Sequence, residues 1–286
     1  VAGFPRFLIG ASTKMYFSHA RTLEWCRAVA EIARTHPAVR GGDAALFVVP
    51  GFLSVPGALD VFGALDGPDG AAMVGVQDLA AEDSGAFTGE VSGPQAAELG
   101  CELAEIGHAE RRRLFGEDDA AVRAKTAAAL RAGLVPLLCL GEAELGEPPA
   151  AAAECIRQLD HALASAGASG LSGRIVVAYE PHWAIGAPEP AAPEHITAVC
   201  TALRAHLRGL PAHAGSAVIY GGSAGPGLLS RIGHAVDGLF LGRFAHDPAA
   251  VAAILDEVSN IAGHKPSRAG SGTIPADSIG AGGTDV

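Results

Sequence analysis

The chain has 286 residues, enough for one large α/β domain or two small ones; 49% are hydrophobic and only 5% aromatic, so its core must be aliphatic. Thirty-one acidic against 20 basic residues give a formal charge of −11, which argues against nucleic acid as a partner, because phosphate backbones need a basic surface. Any anionic substrate must be drawn in by a local site.

The five cysteines, Cys26, Cys101, Cys139, Cys155 and Cys200, are scattered, odd in number and free of C-x-x-C spacing. A chain this long needs no disulfide staples, so reduced thiols and a cytoplasmic setting are expected. No apolar run reaches the roughly 18 residues of a membrane span, so no membrane contact is expected.

In chain order, short β-rich apolar runs alternate with Ala-rich segments of helical period. Strands are predicted over 7–10, 45–49, 73–77, 103–106, 135–140, 175–179, 217–220 and 238–241. Helices are predicted between them over 19–35, 119–132, 150–166, 193–208 and 248–261. Strand–helix alternation implies a parallel sheet covered by helices, and eight repeats favour closure into a single (β/α)8 barrel over an open doubly wound sheet. The barrel domain is expected over 1–262. Residues 263–286 are rich in Gly, Ser and Pro with almost no apolar periodicity, so they read as a C-terminal extension of linker-like composition.

Polar groups follow five of the strands: Ser12-Thr13-Lys14, Gly107-His108-Ala109-Glu110-Arg111-Arg112, Glu180-Pro181-His182-Trp183-Ala184-Ile185-Gly186, Gly221-Gly222-Ser223 and Gly242-Arg243. A closed barrel gathers such βα loops at one face, where the chemistry sits. A lysine stabilises developing negative charge, a histidine polarises a carbonyl, and a carboxylate shuttles a proton between adjacent carbons. Glycines and a serine with free backbone N–H groups cradle a phosphate. This set suffices for proton abstraction beside a carbonyl through an enediolate, without metal or organic cofactor.

The stretches GASTKMY, VGVQDLAAEDSGAFTGEVS, IGHAERRRLFGE, PLLCLGE, AYEPHWAIG, YGGSAGP and DGLFLGR, in this order and each at a strand end, resemble triosephosphate isomerase along nearly the whole barrel. The resemblance implies catalytic roles for Lys14, His108 and Glu180, with Glu180 the base. It also implies a neutral histidine, a known trait of that family. Gly186, Ser223 and Gly242 match residues whose backbone amides bind phosphate. Glu110 and Cys139 match supporting positions near the lysine and histidine. Pro181, His182, Trp183, Ala184 and Ile185 match a lid that closes over substrate. Thr88 matches a loop that reaches into a second subunit, implying a homodimer, and Glu90 and Arg111 match an ion pair that supports this loop.

Departures from the family pattern cluster around the substrate. Ser12 stands where asparagine is usual, Ala109 replaces a serine that holds the resting base, and Arg243 replaces the second glycine of the phosphate site. His182 replaces an aliphatic residue, and Pro188 and Pro190 should stiffen the far hinge of the lid. The leading expectation is interconversion of dihydroxyacetone phosphate and glyceraldehyde 3-phosphate, as in glycolysis and gluconeogenesis. Ser12 and Arg243 favour an alternative, isomerisation of a four-carbon phosphoketose such as erythrulose 1-phosphate. The stiff hinge and missing serine raise a third reading, a catalytically impaired binding or regulatory homologue.

Overall fold

The computed structural model describes residues 3–63, 65 and 72–263. The expected extension over 264–286 lies outside the described residues. Eight parallel strands close into a barrel in sequence order: β1 (Phe7–Ser12), β2 (Ala44–Val49), β3 (Ala72–Val76), β4 (Leu103–Ile106), β5 (Val135–Leu140), β6 (Val176–Tyr179), β7 (Ala217–Tyr220) and β8 (Gly238–Leu241). Closure is by β1 against β8, with Leu8 opposite Gly238 and Ala11 opposite Leu241. This is the (β/α)8 barrel that the alternating pattern implies.

The period-two alternation of each strand separates two cores. Leu8, Phe47, Met73, Leu103, Leu137, Val176, Ile219 and Phe240 point inward and fill the barrel. Phe7, Ile9, Val48, Ile106, Leu138, Val177, Val218 and Leu241 point outward and meet the helices. The inward file of β1 continues to Ser12, that of β4 to Glu105 and that of β5 to Cys139, so these polar groups crown an aliphatic core.

The helices are α1 (His19–Thr35), α2 (Pro37–Arg40), α3 (Val55–Phe62), α4 (Gly93–Leu99), α5 (Ala109–Phe115), α6 (Asp119–Arg131), α7 (Pro148–Ala168), α8 (Pro193–Arg208), α9 (Leu229–Ile232) and α10 (Pro248–Ile261). Their starts are encoded locally. Ser18, Asp118 and Asp247 each accept a hydrogen bond from a first-turn backbone N–H, and Ser92 and Gln95 form a reciprocal capping box. Proline opens α7, α8 and α10, where its missing N–H is harmless. For that reason α7 begins two residues earlier than the Ala-rich run suggests. The turns α2, α4, α5 and α9 are too short to show a helical period in sequence.

Candidate active site

Glu180 directly follows β6 and is 5% exposed. Its Oε2 lies 3.6 Å from His108 Nε2 and is buried without a hydrogen-bond partner among the described residues. The Cys139 thiol, one strand away on β5, is within hydrogen-bonding reach of the carboxylate. Burial first, then the neighbouring Glu180, pushes that thiol well above its usual range, so Cys139 stands beside Glu180 as a protonated thiol. Gly221, just after β7, makes room: a Cβ there would sit 2.7 Å from Glu180 Cγ and 2.9 Å from its Cδ. The carboxylate lies between Gly221 and His108.

His108 caps α5. Its Nδ1 accepts a hydrogen bond from the Glu110 backbone N–H at 3.1 Å, so in the neutral ring the proton sits on Nε2, the nitrogen that faces Glu180. Burial, followed by Lys14 among the nearby cations, lowers the pKa of the imidazole. His108 is thereby held as a neutral N–H donor.

Lys14 has φ of 46°, a left-handed backbone that a non-glycine residue adopts at a cost of about 1 kcal/mol or more. Gln77 holds this turn, its Nε2 donating to the carbonyls of Lys14 (3.2 Å) and Val49 (2.9 Å). Lys14 Nζ meets Glu110 Oε1 at 2.8 Å. Burial opposes the ammonium charge, but the Glu110 hydrogen bond and the carboxylates of Glu110 and Glu180 outweigh it, and the pKa is raised. The lysine therefore stays charged.

Ser12, Lys14, His108, Glu180, Gly186, Ser223, Gly242 and Arg243 line a single cleft of about 380 Å³ at the C-terminal mouth of the barrel. Ser223 also adopts a left-handed backbone, with φ of 54°. Its hydroxyl donates to the carbonyls of Ala184 and Ala187, both at 2.9 Å, and so ties the loop after β7 to the lid. The lid makes a 3-10 turn over His182–Ala184. Trp183 Nε1 donates to Glu142 at 2.9 Å, and the Tyr220 hydroxyl accepts from Ala191 N–H at 3.0 Å beyond the far hinge. Arg243 neither points away nor stands free: its guanidinium donates to the Gly186 carbonyl at 2.8 Å, latching the loop after β8 onto the lid.

Other expectations are met elsewhere or differently. Arg111 pairs with Asp78 (2.9 Å) and Glu117 (2.7 Å), which also hold Lys125. Glu90 is exposed and is not among its partners in the described residues. Asp78 and Glu117 therefore take the part expected of Glu90. Thr88 is exposed on a projecting loop.

Two buried carboxylates escaped the sequence reading. Glu142 accepts from the Tyr179 hydroxyl at 3.1 Å and lies 3.3 Å from His195 Nε2, so it anchors the lid through Trp183. Glu105, 3% exposed, accepts from the Ser12 hydroxyl at 3.2 Å. Burial, then the nearby Glu180, raises its pKa well above the carboxylate range. The available signal was an acidic residue at an inward position of the apolar strand Leu103–Ile106.

A barrel mouth that gathers a charged lysine, a neutral histidine and a buried carboxylate in one cleft has the groups that proton transfer beside a carbonyl needs. The triosephosphate isomerase family model matches residues 7–258. An L-erythrulose-1-phosphate isomerase of Pectobacterium atrosepticum is 51% identical over 88% of this chain and 95% of its own length. A triosephosphate isomerase of Synechococcus sp. is 34% identical over 87% of this chain and 96% of its own length, and an L-erythrulose-1-phosphate isomerase of Rhizobium rhizogenes is 35% identical over 84% and 90%. The chain belongs to the triosephosphate isomerase family, and its activity class is isomerase.

Proposed function

We propose that this isomerase acts on a four-carbon 1-phosphoketose of the L-erythrulose 1-phosphate type. Glu180 takes the proton from the carbon next to the carbonyl on the side away from the phosphate. His108 Nε2–H hydrogen-bonds the carbonyl oxygen, Lys14 stabilises the enediolate charge, the hydroxyl proton passes by way of His108 from the adjacent hydroxyl to the former carbonyl oxygen, and Glu180 returns its proton to the former carbonyl carbon. For such a substrate the carbonyl moves from C2 to C3, so the product is again a ketose. Backbone amides of Gly186, Ser223 and Gly242 hold the phosphate, and the lid excludes water.

The observation that carries the reaction is the convergence of Lys14, His108 and Glu180 in one cleft. The choice of four carbons over the triose expected first is supported by the 51% identity to the Pectobacterium protein, against 34% to the Synechococcus triosephosphate isomerase. Ser12 supports it too, since a short side chain in the cleft leaves room for a hydroxymethyl group. The test compares kcat/KM of the purified protein on L-erythrulose 1-phosphate and on dihydroxyacetone phosphate. A higher value for the triose overturns the four-carbon reading, and no turnover of either overturns the enzyme reading.

We also read the protein as a homodimer in a reducing, cytoplasmic compartment. Met15, Leu53 and Phe87, from loops after three successive strands, are exposed apolar groups that a second subunit would cover. All five cysteines are buried and unpaired. Among the described residues no helix is long and apolar enough to cross a membrane. Sedimentation at micromolar concentration tests the dimer, and a single monomeric species overturns it.

A further inference from the structure

Glu105 takes no part in the proton transfer described above, yet it is buried at an inward position of β4. Inward positions of such a barrel are ordinarily filled by branched aliphatic side chains, as Leu103, Leu137 and Val176 fill them here. A carboxyl group at this depth is unfavourable unless something there uses it. Among the described residues it accepts a hydrogen bond from the hydroxyl of Ser12, which itself lines the cleft. Ser12 and Glu105 come from β1 and β4, the strands that also lead into Lys14 and His108. The phosphate-binding loops follow β6, β7 and β8.

That arrangement orders the cleft. A substrate with its phosphate at Gly186, Ser223 and Gly242 and its reacting carbons at Glu180 and His108 has room for a further carbon beside Ser12, which lines the same cleft. A triose phosphate has no carbon to place there, whereas a four-carbon 1-phosphoketose has a hydroxymethyl group. We propose that Ser12 and Glu105 form the receptor for this terminal hydroxymethyl group, Ser12 touching its hydroxyl and Glu105 positioning the serine from beneath. Glu105 is thus a specificity-determining positioning residue, and its role rests on the four-carbon reading above. Burial and the neighbouring Glu180 favour its neutral form, which adds no negative charge beneath an anionic enediolate and leaves it able to donate as well as accept.

The experiment measures kcat and KM on both substrates for the wild type and for Glu105→Leu, Glu105→Gln and Ser12→Ala. Loss of a buried polar partner for a substrate hydroxyl lowers selectivity by about 10- to 100-fold. The ratio of kcat/KM for L-erythrulose 1-phosphate over that for dihydroxyacetone phosphate should fall by this factor in Glu105→Leu and Ser12→Ala, chiefly through KM of the larger substrate. Glu105→Gln, which keeps a hydrogen-bonding group facing Ser12, should recover most of the ratio. A wild type that fails to turn over the four-carbon substrate overturns the functional reading, and this inference with it. A wild type that does turn it over, with ratios unchanged across the variants, overturns the inference alone. Equal losses on both substrates do the same, because they mark a structural role. Should Glu105→Leu fail to fold, as read by circular dichroism, Ser12→Ala and Glu105→Gln decide the question by the same ratio.

Discussion

Replacing Gly221 by alanine tests how Glu180, the proposed base, is seated without replacing any proposed reacting group. The added methyl would lie 2.7 Å from Glu180 Cγ and 2.9 Å from Cδ, and closer still to Oε1. Carbon–carbon contacts settle near about 3.5 Å, so the carboxylate must retreat by about 1 Å. The obstacle is the end of a flexible side chain, and Gly221 is not among the positive-φ glycines, so the backbone accepts alanine without strain. Stability should therefore change little. Activity should change a great deal, because a misplacement of about 1 Å lowers a rate by roughly 100-fold, or about 2.7 kcal/mol in transition-state stabilisation.

Steady-state kinetics on the four-carbon substrate, with a thermal melt beside them, read both quantities. The expected result is a kcat about 100-fold lower with KM within a few-fold and Tm nearly unchanged. If Gly221→Ala retains wild-type kcat, the carboxylate does not need its present seat. If instead KM rises while kcat holds, Gly221 serves the phosphate and not the base.

Glu180→Asp draws the carboxylate back by one methylene, and kcat should fall by about 100-fold or more with little change in KM; a KM effect alone would show that Glu180 is not the base. Trp183→Phe removes the indole N–H from buried Glu142 and should cost about 1–3 kcal/mol, read as a Tm lower by roughly 2–10 °C. An unchanged Tm and an unchanged kcat together would show that this anchor does not hold the lid. Burial lowers the His108 pKa, so the folded imidazole should titrate below its ordinary value of about 6.5, as followed by NMR. As pH falls through about 6.5 the unfolded chain takes this proton before the folded one does, so stability from this group is present at neutral pH and lost towards acid. The Tm of the wild type should accordingly drop more between pH 7 and 5 than that of His108→Gln, and an imidazole titrating above 6.5 contradicts the argument.

What was legible in the sequence and what was not divide along a physical line. Strands β1 to β8 were visible because each is a short, β-rich apolar run set off by polar or glycine-rich turns, and the long helices because their apolar period extends over several turns. Lys14, His108 and Glu180 were visible because a polar residue at the end of an apolar strand stands out. Glu105 and Glu142 were hidden for the opposite reason. Neither is followed by an obvious partner in sequence: Glu105 meets Ser12 from across the barrel, and Glu142 meets Trp183, Tyr179 and His195 from three separate segments. Arg243 was legible as a departure but not in its direction, since the Gly186 carbonyl it grips is 57 residues away along the chain. Ala109 shows the same limit from the other side: the sequence reveals that a hydroxyl is missing, but only the packed barrel, with Gly221 leaving space and Cys139 within reach, fixes where Glu180 goes without it. The position of Glu180 is thus specified by what surrounds it on β5 and beyond β7 as much as by its own strand, and for that reason the lesion at Gly221, not one at Glu180 itself, is the sharper probe of its proposed role.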